Sequence, residues 1–440
     1  CFMDALTTQD YPAMGFSICY EYGLFKQRIV DGSQVELPDV WMDDGGAWLV
    51  PRTDKTMSIR FGGTVSEKWD NGRCEIINEG YEEIQAVPYD MMISGADSAA
   101  VSTLRLWRAE NVSNFNMKLF SQGEYIKAME ENNNAEVISK VLYPADATPE
   151  GKMLRLSQQY FFVSASLQSI IADHLAMYGT LRNFGEKVAI HINDTHPAVC
   201  IPELMRIFMD IYSYSWEDAW NIVKQTVSYT NHTVMPEALE CWNENIFKLR
   251  LPRLYMIIEE INRRFCADMW NLYPGDWDRI SRMAVIANGQ VRMANLSVVG
   301  SHTVNGVSKL HSEILKETIF HDYYKAMPEK FTNVTNGIAH RRWLCYSNPG
   351  LTALLDETIG TQYRKQPETL KKFEAFKDDK SVLARLEQIK KENKISFANH
   401  IFEKTGEKID PNSIFDVQVK RLHEYKRQLL NALKIINRCI

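Results

Sequence analysis

The chain has 440 residues, which at roughly 150 residues per domain corresponds to two or three domains with a core that needs no disulfide or metal support. Hydrophobic residues make up 45% and charged residues 24%, a balance that excludes a disordered chain, a collagen-like repeat and a disulfide scaffold. The formal net charge of −6, from 56 acidic and 50 basic residues, argues against nucleic acid as a partner.

The apolar runs and the cysteines narrow the class of protein further. Apolar runs such as residues 160–163 are far shorter than the ~18 residues needed to cross a bilayer, so we predict no membrane span. The eight cysteines are widely spaced and form no C-x-x-C pair, so they predict neither a zinc site nor a redox motif. We expect reduced, mostly buried thiols in a cytoplasmic protein.

The first quarter of the chain has the pattern of strands and turns. Within residues 14–65, residues 15–25 alternate in polarity, and Asp31-Gly32 and Asp44-Gly45-Gly46 are turn signals. Short strands are predicted at residues 57–61 and 102–107. A mainly β segment is therefore expected at the start.

The apolar period then lengthens to that of helices. Amphipathic or apolar helices are predicted at residues 125–142, 154–178, 216–227 and 254–265. The first of them is poor in apolar residues, which favours a helix that projects into solvent or packs on another subunit.

A strand, a polar turn and a helix follow one another three times, at residues 188–211, 291–317 and 414–438. This alternation predicts an α/β fold with parallel strands. Ligands bind such sheets at the carboxyl ends of the strands, where the polar turns are expected.

The first polar turn is Asn193-Asp194-Thr195-His196-Pro197. Its carboxylate, amide and imidazole offer donors and acceptors to a polyhydroxylated ligand. The alternative is that Asp194 or Thr195 caps the helix that Pro197 helps to start. A metal site is disfavoured because His191 and His196 have no third ligand nearby in the sequence.

The second polar turn covers residues 299–307, where Gly300 and Gly306 flank Ser301-His302-Thr303. Glycines let a backbone approach a ligand closely. Their spacing does not fit a dinucleotide motif, and the segment lacks the closing glycine of a nucleophile elbow. An ordinary turn before a helix is the alternative.

The third segment, residues 417–428, combines cations suited to a phosphate with an alternative i,i+3 pair between Glu424 and Arg427 on a solvated helix face. Residues 420–440 predict an amphipathic helix whose apolar face still needs a partner. A boundary is expected at residues 405–413, and the chain is predicted to be part of a longer protein.

Taken together, the motifs resemble those of the α-1,4-glucan (glycogen, starch and maltodextrin) phosphorylase family. The resemblance runs along the whole chain. It is carried by Tyr143-Pro144, residues 150–161, Ile192 to Pro197, Tyr229-Thr230-Asn231-His232-Thr233-Val234, Gly300 to Val307, residues 335–343 and Phe415 to Arg421.

The resemblance implies an enzyme that releases glucose 1-phosphate from α-1,4-glucans by phosphorolysis, with pyridoxal 5′-phosphate as cofactor. It implies the α/β, two-domain glycosyltransferase (GT-B-like) architecture, with residues 1–409 in the amino-terminal Rossmann-like domain and residues 410–440 opening the carboxyl-terminal one. It also implies a homodimer formed through residues 125–140, with glucan and inorganic phosphate as substrates.

Site residues follow from the same resemblance. His302 is similar to the family histidine whose backbone carbonyl and ring lie against the glucosyl unit, where a carbonyl dipole stabilises a developing positive charge. Asp194 and His196 are similar to the pair that lines the acceptor side of the cleft. All three are expected to converge on one hollow.

The remaining carry-over concerns the gate of the site. Asp146 and Arg155 correspond to the gating loop and the helix after it, while Ala147 and Thr148 replace residues that contact ligands in relatives. Asp410 takes the place of an amide that binds the 6-hydroxyl of the sugar, but an ionised carboxylate accepts and does not donate.

Two departures bear on regulation and activity. Residues 171–174 lack the arginine pair that binds AMP in animal enzymes, which indicates an unregulated, bacterial-type member. The Schiff-base lysine and the phosphate-binding residues are expected after residue 440. We therefore predict that these 440 residues alone are inactive, the alternative being a non-catalytic glucan-binding remnant, whereas a nucleotide-sugar glycosyltransferase is disfavoured because its motifs do not match.

Overall fold

The computed structural model describes residues 2–42, 46–70, 73–112, 117–420 and 426–439. The chain divides into two compact units, residues 1–337 and residues 338–440. The domain boundary predicted between residues 409 and 410 lies inside the second unit and stays a prediction. No helix among the described residues is long and apolar enough to span a membrane.

The first unit opens with the predicted mainly β segment. Its strands are β1 (Met14–Ile18), β2 (Lys26–Val30), β3 (Ser33–Leu37), β4 (Val50–Pro51), β5 (Met57–Phe61), β6 (Thr64–Asp70), β7 (Arg73–Glu79), β8 (Glu82–Ser94) and β9 (Val101–Asn111). One sheet has the order β1-β9-β8-β4, with β5 also paired to β8. The pairs β2–β3 and β6–β7 are separate antiparallel hairpins.

Helices dominate the rest of this unit. They are α1 (Phe2–Thr8), α2 (Met117–Ser121), α3 (Tyr125–Glu136), α4 (Pro149–Tyr178), α5 (Phe184–Lys187), α6 (Cys200–Arg206), α7 (Trp216–Thr226), α8 (Glu244–Arg250), α9 (Pro252–Leu272), α10 (Trp277–Met283), α11 (Met293–Gly300), α12 (Lys309–Ile314) and α13 (His321–Ala326).

Helix α4 lies at the centre of the core. Thr148 caps it by accepting from the Gly151 N–H at 3.1 Å, Pro149 occupies its first turn, and Gly179 ends it with φ +67°. Its apolar side packs against β1 and β5 and against α6 and α8. The helix therefore joins the first sheet to the helical layer.

A second sheet carries the polar turns singled out in the sequence. It consists of β10 (Ile190–Asn193), β11 (Val227–Thr230), β15 (Thr303–Gly306) and β16 (Phe331–Asn333), all parallel, in the order β10-β11-β15-β16. A small antiparallel sheet joins β12 (Cys241–Asn243), β14 (Gln290–Arg292) and β13 (Ile286–Ala287). The predicted parallel α/β pattern is confirmed for the first unit.

Three side chains form a polar chain across this parallel sheet. The His191 Nε2 and Thr230 Oγ1 atoms lie 2.6 Å apart, and Thr230 Oγ1 donates to Asn305 Oδ1 at 2.8 Å. Thr230 and Asn305 are buried. Because strands β10, β11 and β15 each contribute one member, this polar chain supports the register that the backbone pairing sets.

The second strand–turn–helix segment differs from the prediction. Residues 293–299 belong to the fully buried helix α11, and the strand is Thr303–Gly306, within the segment predicted as a turn. A short run that is apolar on every side does not distinguish a buried helix from a buried strand. His302 therefore precedes a strand and does not follow one.

The second unit is mainly helical. It contains α14 (Pro349–Ile359), α15 (Lys380–Thr405) and α16 (Gln428–Cys439), together with a 3₁₀ segment over Pro367–Phe376. The strand predicted near residue 414 is wrong, because residues 414–420 form no strand, and Ile414 and Val419 are 92% and 87% exposed. An extended segment becomes a strand only when a neighbour supplies hydrogen-bond partners.

Candidate functional site

The carboxyl edge of the parallel sheet gathers the residues that follow β10, β11 and β15. The Asp194 N–H donates to the Thr230 carbonyl at 3.0 Å, and the Asn231 N–H donates to the Asn305 carbonyl at 3.0 Å. These bonds extend the strand ladder one step beyond its end, so the polar residues there are held at fixed heights.

Asp194 has a backbone conformation that few residues adopt. Its φ is +64°, in the left-handed region, and its Oδ1 accepts from the Thr195 N–H at 2.8 Å. Aspartate tolerates this region because its short side chain bonds the local backbone. Helix α6 begins only at Cys200, without a side-chain cap, so the alternative that Asp194 or Thr195 caps this helix is wrong.

His232 is the histidine that the structure adds to this edge. Its Nε2 lies 2.5 Å from Asn193 Oδ1, which ties the exposed imidazole to the end of β10. Asn231 beside it is fully buried; its Nδ2 donates to Tyr229 Oη at 3.0 Å and its Oδ1 accepts from the Thr233 N–H at 2.9 Å. The backbone that carries His232 is thereby fixed from beneath.

Glu240 is a second residue that the sequence reasoning missed. Its Oε2 accepts from Gln159 Nε2 at 2.8 Å, while its Oε1 is buried and has no hydrogen-bond partner among the described residues. Burial raises the pKa of the Glu240 carboxyl, and the charges of His196 and Arg155 act in the opposite direction. A carboxyl with an unsatisfied buried oxygen is therefore electrostatically coupled to two of the predicted site residues.

The gating residues lie at the start of helix α4. Asp146 is exposed in the loop before the helix, and Arg155 is half-buried in the helix, with its guanidinium 5.1 Å from the centre of the Tyr143 ring.

The charge of Asp194 also acts on Glu240, in the direction that raises the pKa of the Glu240 carboxyl. Glu240 thus links Asp194, His196 and Arg155 electrostatically.

His302 does not join this group. Its N–H donates to the Val227 carbonyl at 3.0 Å, at the first residue of β11, whereas Asp194 bonds to Thr230 at the last. At about 3.3 Å per residue the two positions are about 10 Å apart along the strand. Burial, and next the charge of Lys330, lower the pKa of His302. The expected convergence of His302 with Asp194 and His196 is therefore wrong.

Asp410 belongs to the second unit and has a local structural role there. Its Oδ1 accepts from the Asn412 N–H and from Asn412 Nδ2, both at 2.9 Å, and these bonds lower its pKa. The geometry is that of an Asx turn. A carboxylate therefore suits this position for a reason unrelated to a sugar, and its assignment to the sugar's 6-hydroxyl stays a prediction.

The structure describes only part of the predicted basic segment at residues 417–428. Residues 421–425 of the basic segment, including Glu424, lie outside the described residues, so its phosphate and ion-pair alternatives stay open. The described residues contain no group of three or more histidine, cysteine, aspartate or glutamate side chains that could hold a metal ion.

Comparison with known proteins identifies the family. The model of the carbohydrate phosphorylase family matches residues 1–439. The chain belongs to the carbohydrate phosphorylase family.

Glycogen phosphorylases from bacteria and from animals are similar in sequence to this chain. A glycogen phosphorylase from Bacillus subtilis is 48% identical over 436 residues, which cover 99% of this chain and 54% of the relative. One from Pasteurella multocida is 46% identical over 441 residues, covering 100% and 53%. The muscle form from Oryctolagus cuniculus is 44% identical over 452 residues, covering 99% and 53%. The chain spans about half the length of these relatives.

The two histidine-containing motifs lie at opposite edges of the parallel sheet. Both the segment with His232 and the segment with His302 are phosphorylase-like motifs in the sequence. Only the first lies at the carboxyl edge, because it follows β11, whereas His302 precedes β15. A signal for His232 was available, since polar residues directly after a buried strand mark that edge.

Proposed function

We propose that the intact protein is an α-1,4-glucan phosphorylase that transfers terminal glucosyl units to phosphate and releases glucose 1-phosphate. The main support is the carboxyl-edge group of Asp194, His196, His232, Glu240 and Arg155 within a chain of the carbohydrate phosphorylase family. Such a set of acceptors and donors suits the hydroxyl groups of a glucan.

In this reaction the glycosidic C1–O bond breaks and a phosphate oxygen bonds to C1. The proton that phosphate gives up passes to the 4-oxygen of the shortened glucan. The part of the reaction that we assign to this chain is binding and orientation: Asp194 accepts from sugar hydroxyls, and His232, oriented by Asn193, contacts the glucosyl unit. Fixed dipoles at such a position favour a developing positive charge at C1 without reorganisation.

Pyridoxal 5′-phosphate, which the family resemblance implies, would supply a phosphate group for proton transfer when bound. Lys330, a half-buried lysine, does not fit it. Its Nζ donates to the carbonyls of Val298 at 3.0 Å and Val299 at 3.3 Å, at the end of helix α11. We therefore derive no step through the cofactor and keep the prediction that its lysine lies elsewhere.

The proposal also includes the GT-B-like two-domain architecture, a cytoplasmic location and a homodimer through residues 125–140. In support of the last, Tyr125, Ile126 and Met129 are 56%, 77% and 50% exposed on helix α3. The side chains of residues 130–134 on the same helix lie outside the described residues.

The test is to measure glucose 1-phosphate released from maltoheptaose and inorganic phosphate by the intact protein. Release that requires both substrates is expected. Glucan binding without any phosphorolysis, by protein loaded with the cofactor, would contradict the proposal and favour the non-catalytic glucan-binding remnant.

A further inference from the structure

A cavity of about 430 Å³ lies in the first unit, and none of the carboxyl-edge residues lines it. Its walls come from strand β5, the β6–β7 hairpin, helix α4, the end of helix α6 with the turn after it, and the α8–α9 junction. Its charged lining consists of one carboxylate, Asp210, and four arginines, Arg60, Arg206, Arg250 and Arg253.

Two of these arginines are held rigidly with one face free. Arg206 donates through Nε and Nη2 to Glu203 at 2.7 and 2.8 Å, and Arg253 donates through Nε and Nη2 to Asp210 at 2.8 and 2.7 Å. In the described part of the chain, Nη1 of each has no acceptor. Their side chains are only 22% and 16% exposed, so each is an oriented donor in the cavity wall.

A third arginine is arranged in the same way. Arg250 donates through Nε to Ser157 Oγ at 2.7 Å and through Nη1 to Glu82 at 2.6 Å, and its guanidinium lies 4.0 Å from the centre of the Phe61 ring. No protein acceptor for its Nη2 occurs among the described residues. The wall therefore presents three fixed N–H groups that have no protein partner.

The carboxylates paired with Arg206 and Arg253 are themselves engaged by hydrogen-bond donors, which weakens their repulsion of an anion in the cavity. Glu203 is fully buried and receives Arg206, Ser164 Oγ at 2.7 Å and Tyr160 Oη at 3.3 Å, and it does not line the cavity. Both oxygens of Asp210 are occupied by Arg253. The positive groups thus face the cavity, while Glu203 lies behind its arginine.

Two further features of the wall suit the same ligand. Ser58 lines the cavity, and its Oγ is buried without a hydrogen-bond partner among the described residues, so this hydroxyl is free to donate. Helix α9 begins at Pro252 in the wall, with neither a side-chain cap nor an acidic residue in its first turn. The positive end of its dipole adds to the field of the arginines.

We propose that this cavity binds a tetrahedral oxyanion of the phosphate type, either free phosphate or the phosphate group of a small ester. Preorganised guanidinium donors are the groups that proteins use for such anions. The proposal concerns a site outside the carboxyl edge and does not depend on the proposed phosphorolysis.

The test uses the intact protein in chloride buffer. Calorimetric titrations with inorganic phosphate and with glycerol 2-phosphate distinguish the free anion from the ester, and crystals soaked in tungstate locate the anion by anomalous scattering. We expect a tungstate peak within hydrogen-bonding distance of Arg206 and Arg253. A cavity without anomalous density at saturating tungstate, or one that binds maltose but neither phosphate, would overturn the proposal.

Variants separate this site from any phosphate bound elsewhere. R253K keeps the charge beside Asp210 but loses the forked donor, and it should weaken anion binding at this site about tenfold or more. R263A removes a charge from the exposed side of the same helix, where Arg263 is 66% exposed and paired with Glu260, and should leave binding unchanged. R60A, at an arginine 57% exposed, tests the wall without altering the core. Equal affinities in parent, R253K and R60A would refute the assignment.

Discussion

The His232 imidazole and the Asn193 side chain lie 2.5 Å apart at the carboxyl edge of the parallel sheet, between Nε2 and Oδ1. His302, the other histidine in a phosphorylase-like motif, lies at the amino edge. This difference allows the two histidines to be compared directly in activity measurements.

We expect H232Q to lower the proposed phosphorolysis by the intact protein about 100-fold or more, because the oriented imidazole that we place beside the glucosyl unit is lost. H302Q should change the rate less than about threefold, because the His302 N–H bonds to the Val227 carbonyl at the amino edge of the sheet, away from the carboxyl-edge residues. Initial rates of glucose 1-phosphate formation at saturating substrates give the answer. A large loss in H302Q with little in H232Q would restore the original assignment.

Glu240 predicts a pH-dependent change in stability. Burial raises the pKa of this carboxyl, so the folded state holds the proton more tightly than the unfolded state. The stability due to this difference is fully present below the unfolded pKa and is lost as the pH rises through the folded pKa. We expect E240Q to be more stable than the parent at pH 8, with a difference that shrinks towards pH 4. Urea unfolding across this range measures it.

The control for this prediction is E237Q, because Glu237 is exposed three residues earlier. Its stability relative to the parent should not vary with pH in the same way. An E240Q variant whose stability difference stays constant from pH 4 to pH 8 would contradict the burial argument.

The pKa of Lys330 predicts that stability changes with pH in the opposite direction to the change expected from Glu240. Burial, assisted by the charge of Lys224, lowers its pKa to about 8. The unfolded lysine keeps its proton up to about pH 10.4, so between these values the unfolded state binds more protons and stability rises with pH. The parent should therefore gain stability relative to K330M from pH 8 to pH 10. K325M, at an exposed lysine, serves as the control and should show no such change relative to the parent.

Arg105 and Asp90 form a buried ion pair in the first sheet that predicts a strong coupling. Their side chains are 3% and 2% exposed, with two N–H···O bonds of 2.7 Å between them and a third from Arg105 to Ser169 at 2.8 Å. We expect R105M to lower the free energy of unfolding by about 3–5 kcal/mol, because the buried Asp90 charge then has only Arg52 opposite it, 3.9 Å away and 38% exposed.

The double variant D90N/R105M separates the pair from its surroundings. It should lose about 1–3 kcal/mol less than the sum of the single losses, because no charge remains unpaired. R263M at an exposed ion pair should cost less than about 1 kcal/mol. Additive losses in the cycle, measured by urea unfolding, would show that the ion pair is not what stabilises this part of the sheet.

Local patterns predicted much of the fold correctly. The strand at residues 57–61 has the predicted bounds, and the predicted helix at 154–178 forms the main part of α4, because a strong apolar period and a clear glycine stop determine them. The carboxyl-edge position of Asp194 and His196 also followed from the strand before them. These features depend on short-range signals.

The errors arose where local pattern and tertiary context disagree. Residues 293–299 are apolar on every side, so the sequence did not show that they form a helix, and this one error moved His302 to the wrong end of a strand. Glu240 was missed because a single glutamate before a short strand has no periodic signature. Its environment is created by Gln159, His196 and Arg155, which are distant in sequence.

The polar chain of His191, Thr230 and Asn305 has a consequence for protein engineering. Asn193 ends β10, and Asp194 and Asn231 directly follow β10 and β11, so their heights above the sheet depend on side chains within the sheet. A substitution such as Thr230→Val keeps the shape of the side chain but leaves His191 Nε2 and Asn305 Oδ1 without this hydrogen-bond partner. Affinity for a saccharide would then be altered from inside the scaffold, by a residue that no inspection of contacts would select.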